Sequence, residues 1–477
     1  MSDADICYMP ATELIDKFKR KALSPVELMQ AVIDQAGKAE PVVNAFSHTF
    51  FDEAMDKAKK AEHKYATGAR IGPLEGLPIA IKDETYVKGY PCTNGSLPQK
   101  DYIATETSVN NQRIFRAGGI MHARSTTPEF SCAGYTHSKL HGVTRNPWNP
   151  EYTSGGSSGG SSASLAAGTC SIAMGSDIGG SIRIPSATCA LNGLKPSFGR
   201  NPEDPPFNLD QYCHTGPMAR NVRDAILLQN VICGPHPSDL VAIRPKLRLP
   251  LEYPDIRGWK IAYSMDLGKF EVEDDVRQNT LRALDAFRDL GATVEEVNID
   301  WPEDFYEAGI NYLAHLFGTS MAAALEEHGD LLTDYAAYWA EIGPKSSAKD
   351  FLHSQEVAGM MYQSFGPIMQ KHNVFICPTN NLAAVKADHN QVRDRVLING
   401  KEVDPVLGWV MTLPFNMMSR CPVMTMPTGM TSYRVPTSIQ IVGNTYCEKD
   451  VCRAAVAFED SVGQWFRDEG HRPSLGQ

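Results

Sequence analysis

Apolar and polar positions alternate with a helical period over the first seventy residues. Residues 24–27 have the pattern of a helix start: a serine cap, a proline at the first helical position and a glutamate three residues after the cap. Leu28 and Val32 then begin an apolar stripe, and residues 51–65 predict a second helix with polar residues outward. We therefore expect residues 1–70 to form a helical segment that packs against the main body.

From residue 76 onward the pattern changes to short apolar runs. Residues 77–81 are apolar or proline at every position and lead directly into Lys82, which is typical of a strand covered by helices on both faces. Further strands are predicted at residues 120–123, 171–174, 191–195, 260–263, 294–297, 374–377, 423–426 and 437–442. Helices are predicted between most of them, at residues 107–117, 161–167, 274–290 and 350–371. This alternation indicates an α/β protein with a large sheet and helices on both of its faces.

The chain shows no internal repeat and no clear boundary between domains. We therefore treat residues 1–477 as one domain, in which residues 76–200 carry the candidate chemistry. Residues 200–258 are rich in proline and are expected to be irregular. Residues 303–371 are expected to form a helical region that borders a pocket.

Composition and charge argue against several classes of function. Lysine plus arginine number 45 and aspartate plus glutamate 56, and the net charge of −11 argues against nucleic-acid binding through a broad basic face. The sequence predicts neither a membrane-spanning helix nor a secretory signal. The 11 cysteines are scattered and form no C-x-x-C pair, which predicts reduced thiols in a cytoplasmic protein. His137 and His141 have the spacing of helical metal ligands but no third ligand in view, so no metal is expected.

Two glycine–serine turns carry the strongest signal for chemistry. One surrounds Ser157 and the other Ser181, and the chain between them is long enough for one helix and one strand, so both serines are expected at one edge of the sheet. Serine beside glycine often serves only to form a turn. Amide hydrolysis, however, needs a nucleophile and N–H donors for the oxyanion, and paired glycines supply such donors. The candidate donors are the N–H groups of Ile178, Gly179, Gly180 and Ser181.

A serine nucleophile must also lose its proton, and Lys82 is the candidate base. Histidine usually has this role, but none lies near either turn in the sequence. Lys82 ends an apolar strand, where α/β sheets open their ligand crevice, and burial lowers the pKa of a lysine. A neutral Lys82 can then take a proton that Ser157 relays from Ser181. Gly155 to Gly159 also matches the G-x-S-x-G elbow of α/β-hydrolases, which we discount because no strand clearly leads into it.

Three further residues are expected to support the turns. Ser158 follows the first candidate serine, and Asp177 and Arg183 flank the second. Asp177 and Arg183 are expected to pair with each other or to hydrogen-bond the turns. Direct contact with substrate is the alternative for this pair.

Together these segments resemble the amidase signature hydrolases over nearly the whole chain. The matching segments are residues 76–83, both serine turns, and residues 193–196, 216–220 and 436–443. The resemblance implies a triad with Ser181 as nucleophile, Ser157 as bridging serine on a cis peptide and Lys82 as base. It also implies one domain around a large mixed twisted sheet and no cofactor. Homodimers are common in that family, and the oligomeric state stays open. Ser154 and Ala190 depart from the family pattern without touching the triad.

Two functions stay open. The first is a free-standing amidohydrolase that forms an acyl-enzyme on Ser181 and cleaves small amides, anilides or carbamates (urethanes), with esters as further substrates. The second is the A subunit of a tRNA-dependent amidotransferase that releases ammonia from glutamine. Ile184 favours the first, because many such subunits carry glutamine at that position. A catalytically silent binding protein is the weakest reading, since Lys82, Ser157 and Ser181 are all present.

Overall fold

An 11-stranded sheet forms the centre of the computed structural model, which describes residues 2–475. The strands of this part of the chain are β1 Phe46–Thr49, β2 Pro78–Lys82, β3 Ile120–Ser125, β4 His137–Ser138, β5 Gly142–Val143, β6 Ile172–Asp177, β7 Asn192–Lys195, β8 His214–Ala219, β9 Lys260–Tyr263, β10 Thr293–Glu296, β11 Val374–Pro378, β12 Val396–Ile398, β13 Lys401–Val403, β14 Val423–Met430 and β15 Pro436–Val442. The order in the sheet is β1-β3-β2-β6-β8-β7-β14-β15-β11-β9-β10, and β4–β5 and β12–β13 form separate two-stranded sheets.

The sheet is mixed. β2 runs parallel to β3 and β6, and β9 runs parallel to β10 and β11. Each pair of neighbours in the run β6-β8-β7-β14-β15-β11 is antiparallel. Alternate residues of β11 enter different cores: Val374 and Ile376 pack in one apolar cluster, and Phe375 and Cys377 in the other. The predicted fold class is therefore confirmed, because both faces of the sheet are covered.

Helices flank the sheet on both faces. The α-helices of the described residues are α1 Asp3–Tyr8, α2 Ala11–Lys19, α3 Pro25–Val43, α4 Phe51–Thr67, α5 Val109–Arg116, α6 Gly159–Ala166, α7 Arg183–Thr188, α8 Val222–Ile232, α9 Asp274–Asp289, α10 Phe305–Leu313, α11 Thr319–His328, α12 Asp334–Ile342, α13 Ala348–Met369, α14 Pro414–Met417 and α15 Glu448–Val462. Most buried apolar residues of α1–α3, α8, α9 and α15 belong to the first apolar cluster, and those of α10–α14 belong to the second. None of the helices within residues 2–475 is long and apolar enough to cross a membrane.

The helix start predicted at residues 24–27 is confirmed. The Ser24 hydroxyl accepts from the Glu27 N–H at 3.1 Å, and the Glu27 carboxylate accepts from the Ser24 N–H at 2.8 Å. The expectation that residues 1–70 are only helical is corrected, because β1 lies between α3 and α4 and pairs with β3. Four residues carry too short a pattern to distinguish a strand from a loop.

The expectation for residues 200–258 is also corrected, since this stretch contains β8 and α8. β8 includes Gly216 and Pro217, two residues that weaken a strand prediction. It nevertheless pairs with β6 on one side and β7 on the other, and all six of its residues are buried. Tertiary pairing thus overrides the local pattern. Residues 303–371 contain α10–α13, with a π-helical turn between α10 and α11.

Candidate active site

The fold brings the two glycine–serine turns into contact. Ser157 lies just before α6, and Ser181 lies between β6 and α7. The N–H of Ser158 donates to the carbonyl oxygen of Ser181 at 3.3 Å. Lys82, the last residue of β2, donates from Nζ to Ser157 Oγ at 2.7 Å. The predicted site residues from three separate segments therefore meet at one edge of the sheet.

The first turn has an unusual backbone. The Gly156–Ser157 peptide bond is cis, as the resemblance implied. At Gly156 a β-carbon would lie 2.5 Å from the carbonyl oxygen of Tyr135, so no larger residue fits without a shift of the backbone. The position of Ser157 thus depends on glycine at the preceding residue.

Lys82 is buried among three polar partners. Its side chain is 1% exposed, and besides Ser157 its Nζ contacts Ser176 Oγ at 2.8 Å and Glu84 Oε2 at 2.7 Å. Burial lowers the pKa of Lys82, while the negative charge of Glu84 opposes that shift. Burial alone would raise the pKa of Glu84, but the Lys82 ammonium holds it below its usual range. The balance between neutral and charged Lys82 therefore depends on Glu84.

The sequence analysis missed Glu84 and Ser176. Ser176 donates to Glu84 Oε2 at 3.1 Å, and Ser131 donates to the same oxygen. The sequence does contain a signal for Glu84. A lysine at a buried strand end needs a counter-charge, and Glu84 follows Lys82 by two residues. The adjacent Asp83 does not have this role, since it faces Arg124 at 3.4 Å.

Asp177 and Arg183 form the pair that was expected beneath the second turn. Arg183 Nη2 donates to Asp177 Oδ1 at 2.9 Å and Nε to Oδ2 at 3.0 Å, and both side chains are fully buried. Asp177 Oδ2 also accepts from the N–H of Ile182 at 3.2 Å. Burial alone would raise the pKa of Asp177, but the charge of Arg183 overcomes this and lowers it to about 2. The pair fixes the backbone on both sides of Ser181.

The second turn leaves its N–H groups free. Within residues 2–475, no hydrogen bond is donated by the backbone N–H of any residue from 178 to 181. Thr412 Oγ1 donates to the carbonyl oxygen of Gly179 at 2.6 Å, which fixes the orientation of that peptide. Gly180 has a φ of +132°, and a β-carbon there would lie 2.1 Å from Thr412 Oγ1. Glycine is therefore required at this position.

Within residues 2–475, no histidine forms a hydrogen bond with the hydroxyl of Ser157 or Ser181. His214 lies below the second turn, with Nδ1 3.2 Å from the carbonyl oxygen of Asp177, and burial lowers its pKa to about 3. His137 lies in β4 rather than in a helix and contacts the carbonyl oxygen of His389 at 2.8 Å. Residues 2–475 contain no group of three His, Cys, Asp or Glu side chains that could hold a metal ion.

Two cavities open at the turns, and we name each by its serine. The Ser181 cavity has a volume of about 30 Å³, and its walls include Gly179, Ser181, Ile184, Leu313, Trp339 and Leu407. The Ser157 cavity has a volume of about 330 Å³, and its walls include Glu84, Tyr86, Phe130, Ser157, Ser176 and Phe207. Both share Ser131, Ile178 and Phe317, so they adjoin there. Leu313, Phe317 and Trp339 come from residues 303–371, which thus border the cavity beside Ser181.

Comparison with known proteins identifies the family. Residues 27–452 match the family model described as Amidase. The chain belongs to the amidase family. An acylamidase of Rhodococcus erythropolis is 31% identical over 470 residues, which cover 98% of each chain. The A subunit of a glutamyl-tRNA(Gln) amidotransferase from Thermosynechococcus vestitus is 31% identical over 487 residues, which cover 94% of this chain and 97% of that one.

A solved structure shows the same fold over the same extent. The crystal structure of a bacterial aryl acylamidase of the amidase signature family matches with a TM-score of 0.89 and 28% identity, covering 98% of each chain. The resemblance seen in the sequence is therefore confirmed. This amidase is an enzyme of the group that acts on carbon–nitrogen bonds.

The Asp177–Arg183 pair leads to a prediction about stability. We expect Arg183→Met to lower the free energy of unfolding by about 3–5 kcal/mol, because it leaves the Asp177 carboxylate buried without its counter-charge. Arg223→Met is the matched control. Arg223 pairs with Glu252 and Asp460, whose side chains are 79% and 54% exposed, so its loss should cost about 1 kcal/mol or less. Urea unfolding of both variants measures the difference, and equal losses would contradict the prediction.

Proposed function

We propose that this amidase is a free-standing amidohydrolase in which Ser181 is the nucleophile, Ser157 the proton relay and Lys82 the base. The observation that carries the proposal is the 2.7 Å contact of Lys82 Nζ with Ser157 Oγ, at a buried strand end beside the turn that bears Ser181. Ser158 and the Asp177–Arg183 pair hold the two turns in place. The names of the acylamidase and aryl acylamidase relatives support N-acyl amides, including anilides, as the substrates.

The reaction follows from these positions. Neutral Lys82 takes the Ser157 proton while Ser157 takes that of Ser181, and Ser181 Oγ attacks the carbonyl carbon. The oxyanion accepts hydrogen bonds from the free N–H groups of residues 178–181. When the C–N bond breaks, Ser157 donates a proton to the leaving nitrogen and is reprotonated by Lys82. Water then hydrolyses the acyl-enzyme by the same relay.

The same relay extends the proposal beyond simple amides. Carbamates and small esters pass through similar tetrahedral states, so we include them as substrates of this chemistry. An ester or carbamate oxygen would take the place of the leaving nitrogen and would receive its proton from Ser157 in the same way.

The second candidate is an amidotransferase A subunit that releases ammonia from glutamine, and relatives with that name favour it. The Ser181 cavity argues against it. Of the residues within 2–475 that line this cavity, none is an acid, a lysine, an arginine or a histidine. Free glutamine carries an ammonium and a carboxylate, which need charged or strongly polar partners when buried.

A serine-reactive fluorophosphonate tests the proposal. The purified chain alone should gain a single adduct, mapped to Ser181 by peptide mass spectrometry, and should hydrolyse some members of a panel of small amides, anilides and carbamates. Glutamine serves as the comparison substrate. No adduct and no turnover of the panel, together with ammonia release from glutamine once an amidotransferase partner is supplied, would establish the second candidate instead.

Glu84 gives a prediction for the dependence on pH. The neutral form of Lys82 is the active one, and the Glu84 carboxylate favours the charged form. We therefore expect Glu84→Gln to move the rising limb of the kcat/KM profile to lower pH by about 1–2 units. Glu84→Asp keeps the charge, so its limb should stay at the wild-type pH even if kcat falls. A limb that does not move in the folded Glu84→Gln variant would remove Glu84 as the group that sets the pKa of Lys82.

A further inference from the structure

The two cavities beside the serines differ about tenfold in volume, at about 30 Å³ and about 330 Å³. Both are in reach of one carbonyl group attacked by Ser181, because they adjoin at Ile178, Ser131 and Phe317. An amide has two sides, an acyl group and an amine. The unequal cavities therefore raise the question of which side of the amide enters which cavity.

Proton transfer decides the assignment. In the proposed reaction the leaving nitrogen receives its proton from Ser157, so the amine must lie on the Ser157 side of the carbonyl carbon. Ser157 lines only the larger of the two cavities, whereas Gly179 and Ser181 line the smaller one. The acyl group therefore points into the Ser181 cavity, and the amine occupies the Ser157 cavity.

Two leucines in the wall of the Ser181 cavity lie directly against the second turn. A β-carbon built on Gly179 would lie 3.4 Å from Leu407 Cδ1 and 3.6 Å from Leu313 Cδ1, so both side chains reach the backbone of this turn. Both leucines are buried, at 7% and 4% exposure. A volume of about 30 Å³ holds roughly two water-sized groups, which matches the one or two carbons that follow the carbonyl in an acetyl or propionyl group.

The Ser157 cavity has the size and the walls for a larger group. Its volume of about 330 Å³ lies in the usual range of ligand pockets. Aromatic side chains line it, namely Tyr86, Phe130, Phe207 and Phe317. Aromatic walls favour a ring, which they contact in stacked or edge-to-face arrangements.

We propose, on the basis of the function proposed above, that the substrates are short-chain N-acyl amides of bulky arylamines. Leu313 and Leu407 limit the acyl group to about two or three carbons. The Ser157 cavity accepts the arylamine, which leaves with a proton from Ser157. The same leucines then exclude acyl chains of medium and greater length.

Two series of anilides test this assignment. In the first, one aniline carries acyl groups from acetyl to octanoyl, and kcat/KM should be highest for acetyl or propionyl and fall roughly 100-fold or more by hexanoyl. In the second, the acyl group is acetyl and the amine grows from aniline to 4-phenylaniline, and kcat/KM should stay within about tenfold of the value for acetanilide or rise. A rate that increases with acyl length, or that collapses with the larger amine, overturns the assignment.

Variants of the cavity wall identify the residues responsible. Leu407→Ala and Leu313→Ala should each raise the ratio of kcat/KM for hexanoyl over acetyl anilide by at least about tenfold. Leu397→Ala is the matched control, because Leu397 is 54% exposed on β12 and should leave the ratio unchanged. If one cavity variant fails to fold, the other still gives the ratio, and an unchanged ratio in a folded variant overturns the role of that leucine.

Failure of this inference is distinguishable from failure of the proposed function. A Ser181 adduct with good turnover of long-chain anilides would overturn the cavity assignment alone. No Ser181 adduct and no turnover of any anilide would overturn the proposed function and the cavity assignment with it. Turnover that peaks at acetyl, with the shift in both leucine variants, supports both.

Discussion

Ser181→Ala is expected to lower kcat/KM for an anilide substrate by roughly 10⁴-fold or more, with the protein still folded. The reason is the loss of the only oxygen that can form the acyl-enzyme in the proposed reaction. The small change in volume, at a side chain that is 7% exposed, leaves the turn itself intact. Initial rates measured at high enzyme concentration, with the urea midpoint of the same preparation, check the prediction.

Ser186→Ala is the control for this substitution. Ser186 lies in α7 five residues beyond the proposed nucleophile, is fully buried, and its hydroxyl has no hydrogen-bond partner among the described residues. Its removal should therefore leave kcat/KM within about twofold of wild type. The fluorophosphonate adduct should be lost in Ser181→Ala and kept in Ser186→Ala. Appreciable turnover by Ser181→Ala would show that another residue is the nucleophile.

Local chemistry explains which parts of the site the sequence reveals. Each of the two turns needs a glycine at a position where no side chain fits, namely Gly156 in the first and Gly180 in the second. Lys82 is recognisable because it directly follows a run that is apolar on both faces. These features depend on neighbours in the sequence, so the pattern alone indicates them. The strands from β2 to β15 that carry apolar runs are predicted for the same reason.

Other features depend on partners that are distant in the sequence. β8 is a strand only because β6 and β7 pair with it on both sides, and β1 only because β3 offers an edge. Part of the wall of the Ser181 cavity comes from α10, α12 and the segment around Leu407, more than a hundred residues after the serine turns. Periodicity predicts that Leu313 and Trp339 are apolar helix positions, but it cannot show that they line one cavity with Gly179. Substrate size is therefore a property of the tertiary structure.

Glu84 is an intermediate case. The sequence places a carboxylate near Lys82, but it does not show whether Asp83 or Glu84 contacts the amine. The turn that follows β2 decides, because Asp83 and Glu84 lie beyond the end of the strand and their side chains reach different partners. Asp83 faces Arg124, and Glu84 reaches Lys82 at 2.7 Å.

Lys82→Met is expected to lower kcat/KM by roughly 10³–10⁴-fold at neutral pH. Methionine is similar in length and apolar, so it fills the same buried space without an amine to accept the Ser157 proton. Glu84 loses its partner, but its side chain is 22% exposed and can be hydrated. The variant should therefore be folded and inactive. Its reaction with the fluorophosphonate should slow along with turnover, because both depend on an activated Ser181.

The dependence on pH separates Lys82 from a second buried lysine. Wild-type kcat/KM should rise with pH as Lys82 loses its proton, at a pKa lowered by burial, and Lys82→Met should lose this limb. Lys195 is the other candidate for the group whose deprotonation produces this rise, since burial lowers its pKa to about 7. Lys195 Nζ, however, donates to the carbonyl oxygens of Cys421 at 3.0 Å and Pro196 at 3.2 Å, and within residues 2–475 it has no hydrogen bond to the hydroxyl of Ser157 or Ser181. Lys195→Met should therefore keep the limb, even with a lower unfolding free energy. A limb that persists in Lys82→Met and disappears in Lys195→Met would show that Lys82 is not the base.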